Sequence, residues 1–153
     1  MELEKFRLLV KKIVEESNNL KNQYTNERNA PVNYACIFCQ NEVQYRDFVA
    51  LANELGTVIK ETSTGLLFNI KPLETISGKL KLLKIRKPDV TRPEKGDADF
   101  TVLDYKKFKK KFLKQKEFSL IVREFFEMIE LVDPSFKVRT YFSNPPLDHQ
   151  LGI

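Results

Sequence analysis

The sequence predicts an α+β domain in which a mostly antiparallel sheet carries an N-terminal helix and two further helices. Segments with helical periodicity alternate with short apolar segments of strand length, and several strand segments follow one another with only a turn between them. The chain has 153 residues, of which 42% are hydrophobic. A chain of this length buries one core, so residues 1–153 are expected to form a single domain.

The first helix is predicted over about residues 2–20. Apolar residues recur there at alternating spacings of three and four, which places them in one stripe: Leu3, Phe6, Val10, Ile13 and Leu20. The stripe can pack on the chain's own sheet. Its order is also close to a heptad repeat, so a contact between two copies in a homodimer is the alternative.

A strand, a capped helix and two further strands are predicted next. The apolar run 32–39 has strand length, and Asn41 is a good N-cap for the helix that follows. Gly56 lies where a helix ends in the left-handed conformation. Two short strands then flank the turn sequence 62–65.

The second half of the chain repeats much of this order. Strands are predicted at 80–86 and 99–102, and Asp104 can cap a third helix. The pattern favours strands in the segment 118–132, although charged residues would also align on one helical face there. A last strand is predicted up to Phe142 from the alternation of its residues.

Two half-repeats, 32–70 and 98–143, therefore read strand, helix, then two strands, which indicates an internal βαββ duplication. The arrangement resembles the paired βαβββ modules of the glyoxalase and bleomycin-resistance (vicinal oxygen chelate) superfamily, whose modules curl around a cleft that usually holds a metal. That superfamily takes its ligands from His, Glu or Gln, whereas this chain has one histidine, His149, near its end. Glu127 and Glu130 are the other candidates near a ligand-bearing strand. Because the ligand histidines of that superfamily are missing, the resemblance implies a metal-free binding member and not a metal-dependent enzyme. We therefore predict no metal and no cofactor.

The segment 86–99 is the most informative stretch for function. It places cations, carboxylates, two prolines and a glycine between two predicted strands, and binding residues often occupy such connections. The candidate ligand-binding residues are Arg86, Lys87, Asp89, Arg92, Asp97 and Asp99. The cations would contact an anionic ligand, the arginines in bidentate fashion, and the carboxylates would orient a polar group.

Three alternatives apply to the same segment. In the first, the arginines pair with Asp97 and Asp99 in a purely structural loop. In the second, three carboxylates, Asp89 included, hold Mg²⁺. In the third, Pro-Asp at 88–89 and Asp-x-Lys from Asp104 form a nuclease motif, although the predicted role of Asp104 as a helix cap opposes this.

Cys36 and Cys39 are the only cysteines, and their spacing is that of a redox or zinc pair. Their neighbours are apolar, and zinc would need two more ligands, which one histidine cannot supply. Both thiols are therefore predicted to be inert core residues.

The helix 105–116 carries seven lysines interleaved with aromatic residues. It could lie on a phosphate backbone and bind nucleic acid without reading sequence. The aromatic residues fall on the side predicted to face the core, so nucleic-acid binding is the less favoured function.

The chain has 26 basic and 21 acidic residues and a formal charge of +5, which permits an anionic partner without requiring one. No apolar run approaches the roughly 20 residues of a membrane span, and no signal-like segment follows Met1. We therefore expect a cytoplasmic protein without a membrane partner that binds a small anionic molecule. Non-specific nucleic-acid binding and a non-catalytic dimeric interaction protein are the alternatives, and the sequence leaves open whether it is an enzyme.

Overall fold

The computed structural model describes all 153 residues, which form eight strands and four helices. The helices are α1 (Leu3–Tyr24), α2 (Glu42–Leu55), α3 (Tyr105–Phe112) and α4 (Leu147–Gln150). The strands are β1 (Val32–Phe38), β2 (Gly56–Thr62), β3 (Gly65–Thr75), β4 (Gly78–Arg86), β5 (Gly96–Phe100), β6 (Phe118–Val122), β7 (Glu127–Leu131) and β8 (Val138–Asn144).

All eight strands belong to one sheet in the order β2-β3-β4-β1-β5-β8-β7-β6. The strand β1 pairs in parallel with β4, and β5 pairs in parallel with β8. Between them, β1 and β5 run antiparallel and join the two halves of the sheet. Each half therefore runs strand, helix and three strands, with its last strand returning beside its first.

This topology corrects the predicted fold class in two respects. The sheet is mixed, not mostly antiparallel, because the first and last strands of each half pair in parallel. A helix and two strands lie between them in the chain, which is long enough for such a return. A fourth, short helix also follows the predicted three, after the last strand. The α+β class itself is confirmed.

The helices α1, α2 and α3 cover one face of the sheet. The apolar stripe of α1 is buried against β8, β5 and β1 of its own chain. The Ser17 hydroxyl donates to the Arg139 carbonyl at 3.0 Å, and the Thr140 hydroxyl donates to the Ser17 carbonyl at 2.8 Å. The helix α3 is held by aromatic rings, with the centroid of Phe108 4.5 Å from that of Phe142 on β8.

The helix starts follow the predicted caps. Asn41 Oδ1 accepts from the Gln44 amide at 2.8 Å, and Asp104 Oδ1 accepts from the Lys107 amide at 3.1 Å. Gly56 differs from its prediction, because its φ is −174°, which is extended, and it is the first residue of β2. Its requirement is space, since a Cβ there would lie 1.9 Å from the Asn69 carbonyl oxygen.

Several boundaries moved. The first helix continues beyond the predicted residue 20 to Tyr24, and the segment 118–132 forms two strands as favoured. The strand expected at 99–102 instead covers Gly96–Phe100, because Gly96 and its neighbours pair with both β1 and β8. Asp97 and Asp99 consequently belong to a central strand and not to the loop.

Candidate ligand-binding cleft

The strand register brings four polar side chains into one row on the face opposite the helices. Cys36 of β1 is paired with Lys84 of β4 on one side and with Asp97 of β5 on the other. Asp97 is in turn paired with Arg139 of β8. Paired residues on adjacent strands point to the same face of a sheet, so the row Lys84, Cys36, Asp97, Arg139 crosses the floor of a cleft.

A cavity of about 350 Å³ opens above this row and touches both halves of the sheet. Its polar lining comes mainly from the central strands and the segment after β4, whereas Ile121 and Met128 contribute an apolar wall from the second half. The lining residues are Tyr34, Cys36, Ser63, Thr64, Lys84, Arg86, Arg92, Asp97, Ile121, Arg123, Met128 and Tyr141. Four of them are basic and one is acidic.

Arg86 and Arg92 are held in position by neighbours that leave room for a ligand. Both guanidinium groups lie over the ring of Phe38, at 6.0 and 5.7 Å from its centroid. Asp89 contacts both, at 3.3 Å from Arg86 and 3.9 Å from Arg92 Nε. Arg92 also donates to the Tyr141 hydroxyl at 3.1 Å, and the two arginine side chains are only 17% and 24% exposed.

Asp89 is itself fixed by local hydrogen bonds. Its Oδ1 accepts from the amide of Thr91 at 2.9 Å and from the Thr91 hydroxyl at 2.7 Å. These bonds, together with Arg86, lower the pKa of the Asp89 carboxyl to about 2. Asp89 is therefore a permanent anion that orders the two guanidinium groups.

Lys84 adds a further positive charge to the cavity. Its Nζ donates to the Thr64 hydroxyl at 2.6 Å, which ties the β2–β3 turn to the cleft. Burial lowers the pKa of Lys84. Because no carboxylate pairs with this ammonium group, an anion in the cavity would be its natural partner.

Asp97 and Asp99 lie two residues apart on β5, and their side chains lie on the same face of the sheet, as the spacing predicts. Burial and, for Asp97, the neighbouring Asp99 raise the pKa of each carboxyl to about 7. Asp99 is fully buried beside Tyr34 and accepts hydrogen bonds from the hydroxyl and the amide of Ser143. Asp97 is 6% exposed, and its Oδ1 has no hydrogen-bond partner.

An ion-pair network supports the cleft from the β8 side. Arg139 contacts Glu94 at 3.0 Å and Glu130 at 3.1 Å, and the Tyr141 hydroxyl donates to the same Glu130 carboxylate. Arg139 is thereby neutralised although it shares the row with Asp97. The charges that remain for a ligand are those of Lys84, Arg86, Arg92 and Arg123.

The predicted site residues occupy three places. Arg86, Arg92 and Asp97 line the cavity, Asp99 lies beneath its floor, and Asp89 braces the arginines from behind. Lys87 is exposed and outside the lining, with its backbone amide bound to the Thr64 carbonyl. The loop alternative paired the arginines with Asp97 and Asp99, and that pairing is wrong, because both arginines contact Asp89 instead.

Sequence reasoning missed the cleft residues that come from other strands. Lys84 and Tyr141 alternate with residues of the opposite face along their strands, which separates two faces but does not tell which face lines a cleft. Ile121, Arg123 and Met128 come from the hairpin of the second half. Their approach depends on strand order, for which no local signal exists.

Both thiols are buried and free, as predicted. Cys36 is 3% exposed and belongs to the cleft floor, and burial raises its pKa well above the usual range. Cys39 is 2% exposed in the core on the helix side, where burial raises its pKa to about 12. Neither is a thiolate at neutral pH, so the arrangement does not suit redox chemistry.

The carboxylates suggested as metal ligands do not come together. Nowhere do three His, Cys, Asp or Glu side chains form a metal-binding group. Glu127 accepts from the Tyr105 hydroxyl at 2.7 Å and pairs with Lys109 at 2.8 Å, whereas Glu130 pairs with Arg139 toward the cleft. His149 is exposed on α4.

The two alternative functions, nucleic-acid binding and dimerisation, depend on the surfaces of α3 and α1. Phe108 and Phe112 of α3 are buried in the core and so unavailable for stacking on bases, although the lysines around them are mostly exposed. The apolar stripe of α1 is covered by the chain's own sheet. None of the helices is long and apolar enough to cross a bilayer.

Comparisons with known proteins find similarity in structure only. No protein-family model matches the sequence, and no curated protein matches it. A solved structure described as Structural Genomics, Protein EC4020 aligns with a TM-score of 0.67 at 10% identity, covering 88% of this chain and 82% of the other. A glyoxalase/bleomycin resistance protein/dioxygenase superfamily member from Vibrio splendidus 12B01 aligns with a TM-score of 0.45 at 10% identity, covering 74% and 97%. The first likeness shows a shared fold.

Proposed function

We propose that the protein binds a small anionic molecule in the cleft above β4, β1 and β5. The observation that carries this proposal is the excess of basic side chains in the cavity lining, where Lys84, Arg86, Arg92 and Arg123 stand against one carboxylate. A volume of about 350 Å³ suits a small metabolite and not a polymer.

The geometry of the arginines supports an anion over a neutral ligand. Each guanidinium retains donors after its contact with Asp89, and both are restrained by the ring of Phe38. Restrained guanidinium groups bind carboxylate or phosphate oxygens at little entropic cost. We include in this proposal the internal βαββ duplication expected from the sequence. Two similar halves that lie side by side would each supply one wall of the cleft.

The test is a thermal-shift and calorimetric screen of small carboxylates and phosphates. The variants Arg86→Gln and Arg92→Gln should each weaken binding about tenfold to a hundredfold, since each removes a charge-assisted hydrogen bond. Lys87→Gln is the matched control, because it removes the same charge one residue away, outside the lining. Equal losses in all three variants would point to a diffuse surface effect and refute a defined site.

A further inference from the structure

Asp97 is the one acidic side chain in a cavity whose other charges are positive. Asp97 is only 6% exposed, and its Oδ1 has no hydrogen-bond partner. A buried carboxylate oxygen without a hydrogen bond is costly, and native proteins rarely leave one without a reason. Asp97 is one of the residues that line the open cavity, so its carboxyl group is within reach of a ligand although Oδ1 itself is buried.

The basic neighbours do not neutralise it. Arg86 and Arg92 contact Asp89, and Lys84 donates to Thr64. Arg139, its register partner on β8, contacts Glu94 and Glu130. The carboxyl is thus flanked by cations that are held by other groups, which is an arrangement that keeps Asp97 free to accept from something else.

We propose that the ligand is a small acid with a hydroxyl group beside its anionic head, which donates to Asp97 while the head contacts Arg86 and Arg92. This inference rests on the proposed function and names its ligand class. The apolar wall of Ile121 and Met128 would receive the carbon chain of such an acid. Carboxylate and phosphate heads share this chemistry, and the experiment separates them.

The titration of Asp97 agrees with this role. Burial and Asp99 raise the pKa of the Asp97 carboxyl to about 7, so it is mostly ionised, and an acceptor only, at about pH 8. Arg92, Lys84 and Arg86 face it and oppose that rise. A ligand donor would favour the ionised form in the same way.

The experiment compares matched acids that differ in the hydroxyl, by calorimetry at about pH 8. One pair is 2-hydroxyisocaproate and isocaproate, and the other is glycerol 3-phosphate and propyl phosphate. In at least one pair the hydroxylated acid should bind about tenfold to a hundredfold more tightly, because its absence leaves the Asp97 oxygen unpaired. The pair that shows the difference identifies the head group.

The variant Asp97→Ala removes the acceptor, so the hydroxyl preference should disappear while the plain acid binds at least as well as before. Equal affinities within both pairs on the natural protein would overturn the inference, and that comparison needs no variant to fold. A preference that persists in Asp97→Ala would overturn it as well.

The outcomes also separate this inference from the proposed function. If plain acids bind and Arg86→Gln weakens them, but no hydroxyl preference exists, only the ligand class is wrong. If none of the four acids binds at millimolar concentration, or binding ignores both arginine variants, the anion site itself is refuted.

Discussion

Two buried carboxyl groups set the character of the cleft at the scale of single residues. Asp97 and Asp99 occupy a central strand where burial opposes their charge, and only Asp99 has hydrogen bonds to offset it. A fold that keeps such groups accepts a stability cost at neutral pH. That cost is measurable.

We expect the protein to be more stable at about pH 5 than at about pH 8. The pKa of each carboxyl is about 7 in the folded chain and near 3.8 when unfolded, so the folded state binds more protons between these values. The contribution is fully present below about pH 4 and is lost as the pH rises through about 7. A difference of one in pKa between the folded and unfolded chain corresponds to about 1.4 kcal/mol in the free energy of unfolding.

Denaturant unfolding at several pH values checks this expectation. Asp97→Asn should flatten the dependence and raise the free energy of unfolding at about pH 8. Glu54→Gln, an exposed carboxylate on α2, is the control and should leave the curve unchanged. An Asp97→Asn protein with the natural pH profile would contradict the assignment.

Both thiols should react slowly with a thiol reagent in the native protein and fully after unfolding. Cys36 and Cys39 are nearly inaccessible, and burial raises the pKa of each. Their labelling rates should follow opening of the fold, which is measured by adding low denaturant. Rapid labelling of either thiol in the native state would revive a redox role.

At the scale of elements, α3 is fixed by aromatic packing and not by its own length. Its eight residues are too few for an isolated helix, and Phe108 and Phe112 bind it to β6 and β8 through Phe118 and Phe142. The lysines occupy the outward face of α3, which does not contact the core. The basic character of the helix and its aromatic residues therefore have separate causes.

Phe108→Ala should lower the free energy of unfolding by about 3–5 kcal/mol, because it opens a cavity among the three rings of Phe112, Phe118 and Phe142. Phe125→Ala is the matched control, since that ring is 83% exposed in the β6–β7 turn. The control should change stability by less than about 0.5 kcal/mol. Chemical denaturation measures both, and similar losses would contradict the packing described for α3.

Duplex or single-stranded nucleic acid should bind only weakly at physiological salt. The double variant Lys106→Glu and Lys110→Glu reverses two exposed charges on α3 and should leave both the fold and any ligand binding intact. Fluorescence anisotropy over a salt series decides the matter. A tight complex whose affinity falls steeply with salt, and which this variant abolishes, would establish the alternative function.

At the scale of the whole molecule, α1 acts as a strap across the two halves of the sheet. Its stripe covers β1, β5 and β8, and Phe6 packs on Phe48 of α2 with their ring centroids 5.4 Å apart. The apolar stripe of α1, for which a contact with a second copy was the alternative prediction, is covered within the chain. The open face of the sheet, with its cleft, stays available.

Phe6→Ala should therefore lower the free energy of unfolding by about 3–5 kcal/mol. This loss should be the same at every protein concentration. Leu8→Ala, on the same helix but 55% exposed, is the control and should have little effect. Denaturation at two widely separated concentrations measures this. A midpoint that rises with concentration in the natural protein, and stops doing so in Phe6→Ala, would show that α1 joins two copies.

The sequence by itself determined the local elements. Periodicity and capping chemistry are properties of neighbouring residues, so the stripe of α1, the caps Asn41 and Asp104 and the turn at 62–65 could be predicted without knowledge of the rest. The spacing of Asp97 and Asp99 likewise places both side chains on one side of an extended chain. These inferences need no long-range partner.

Tertiary structure alone decided how the elements meet. Lys84 and Asp97 lie in one row only because β4 and β5 both pair with β1. Ile121 reaches the cleft only because the second half of the sheet continues from β5. Strand order depends on which backbone groups pair across the chain, and every strand carries the same backbone groups. The row of charges on the cleft floor is therefore a product of pairing, which no single stretch of sequence contains.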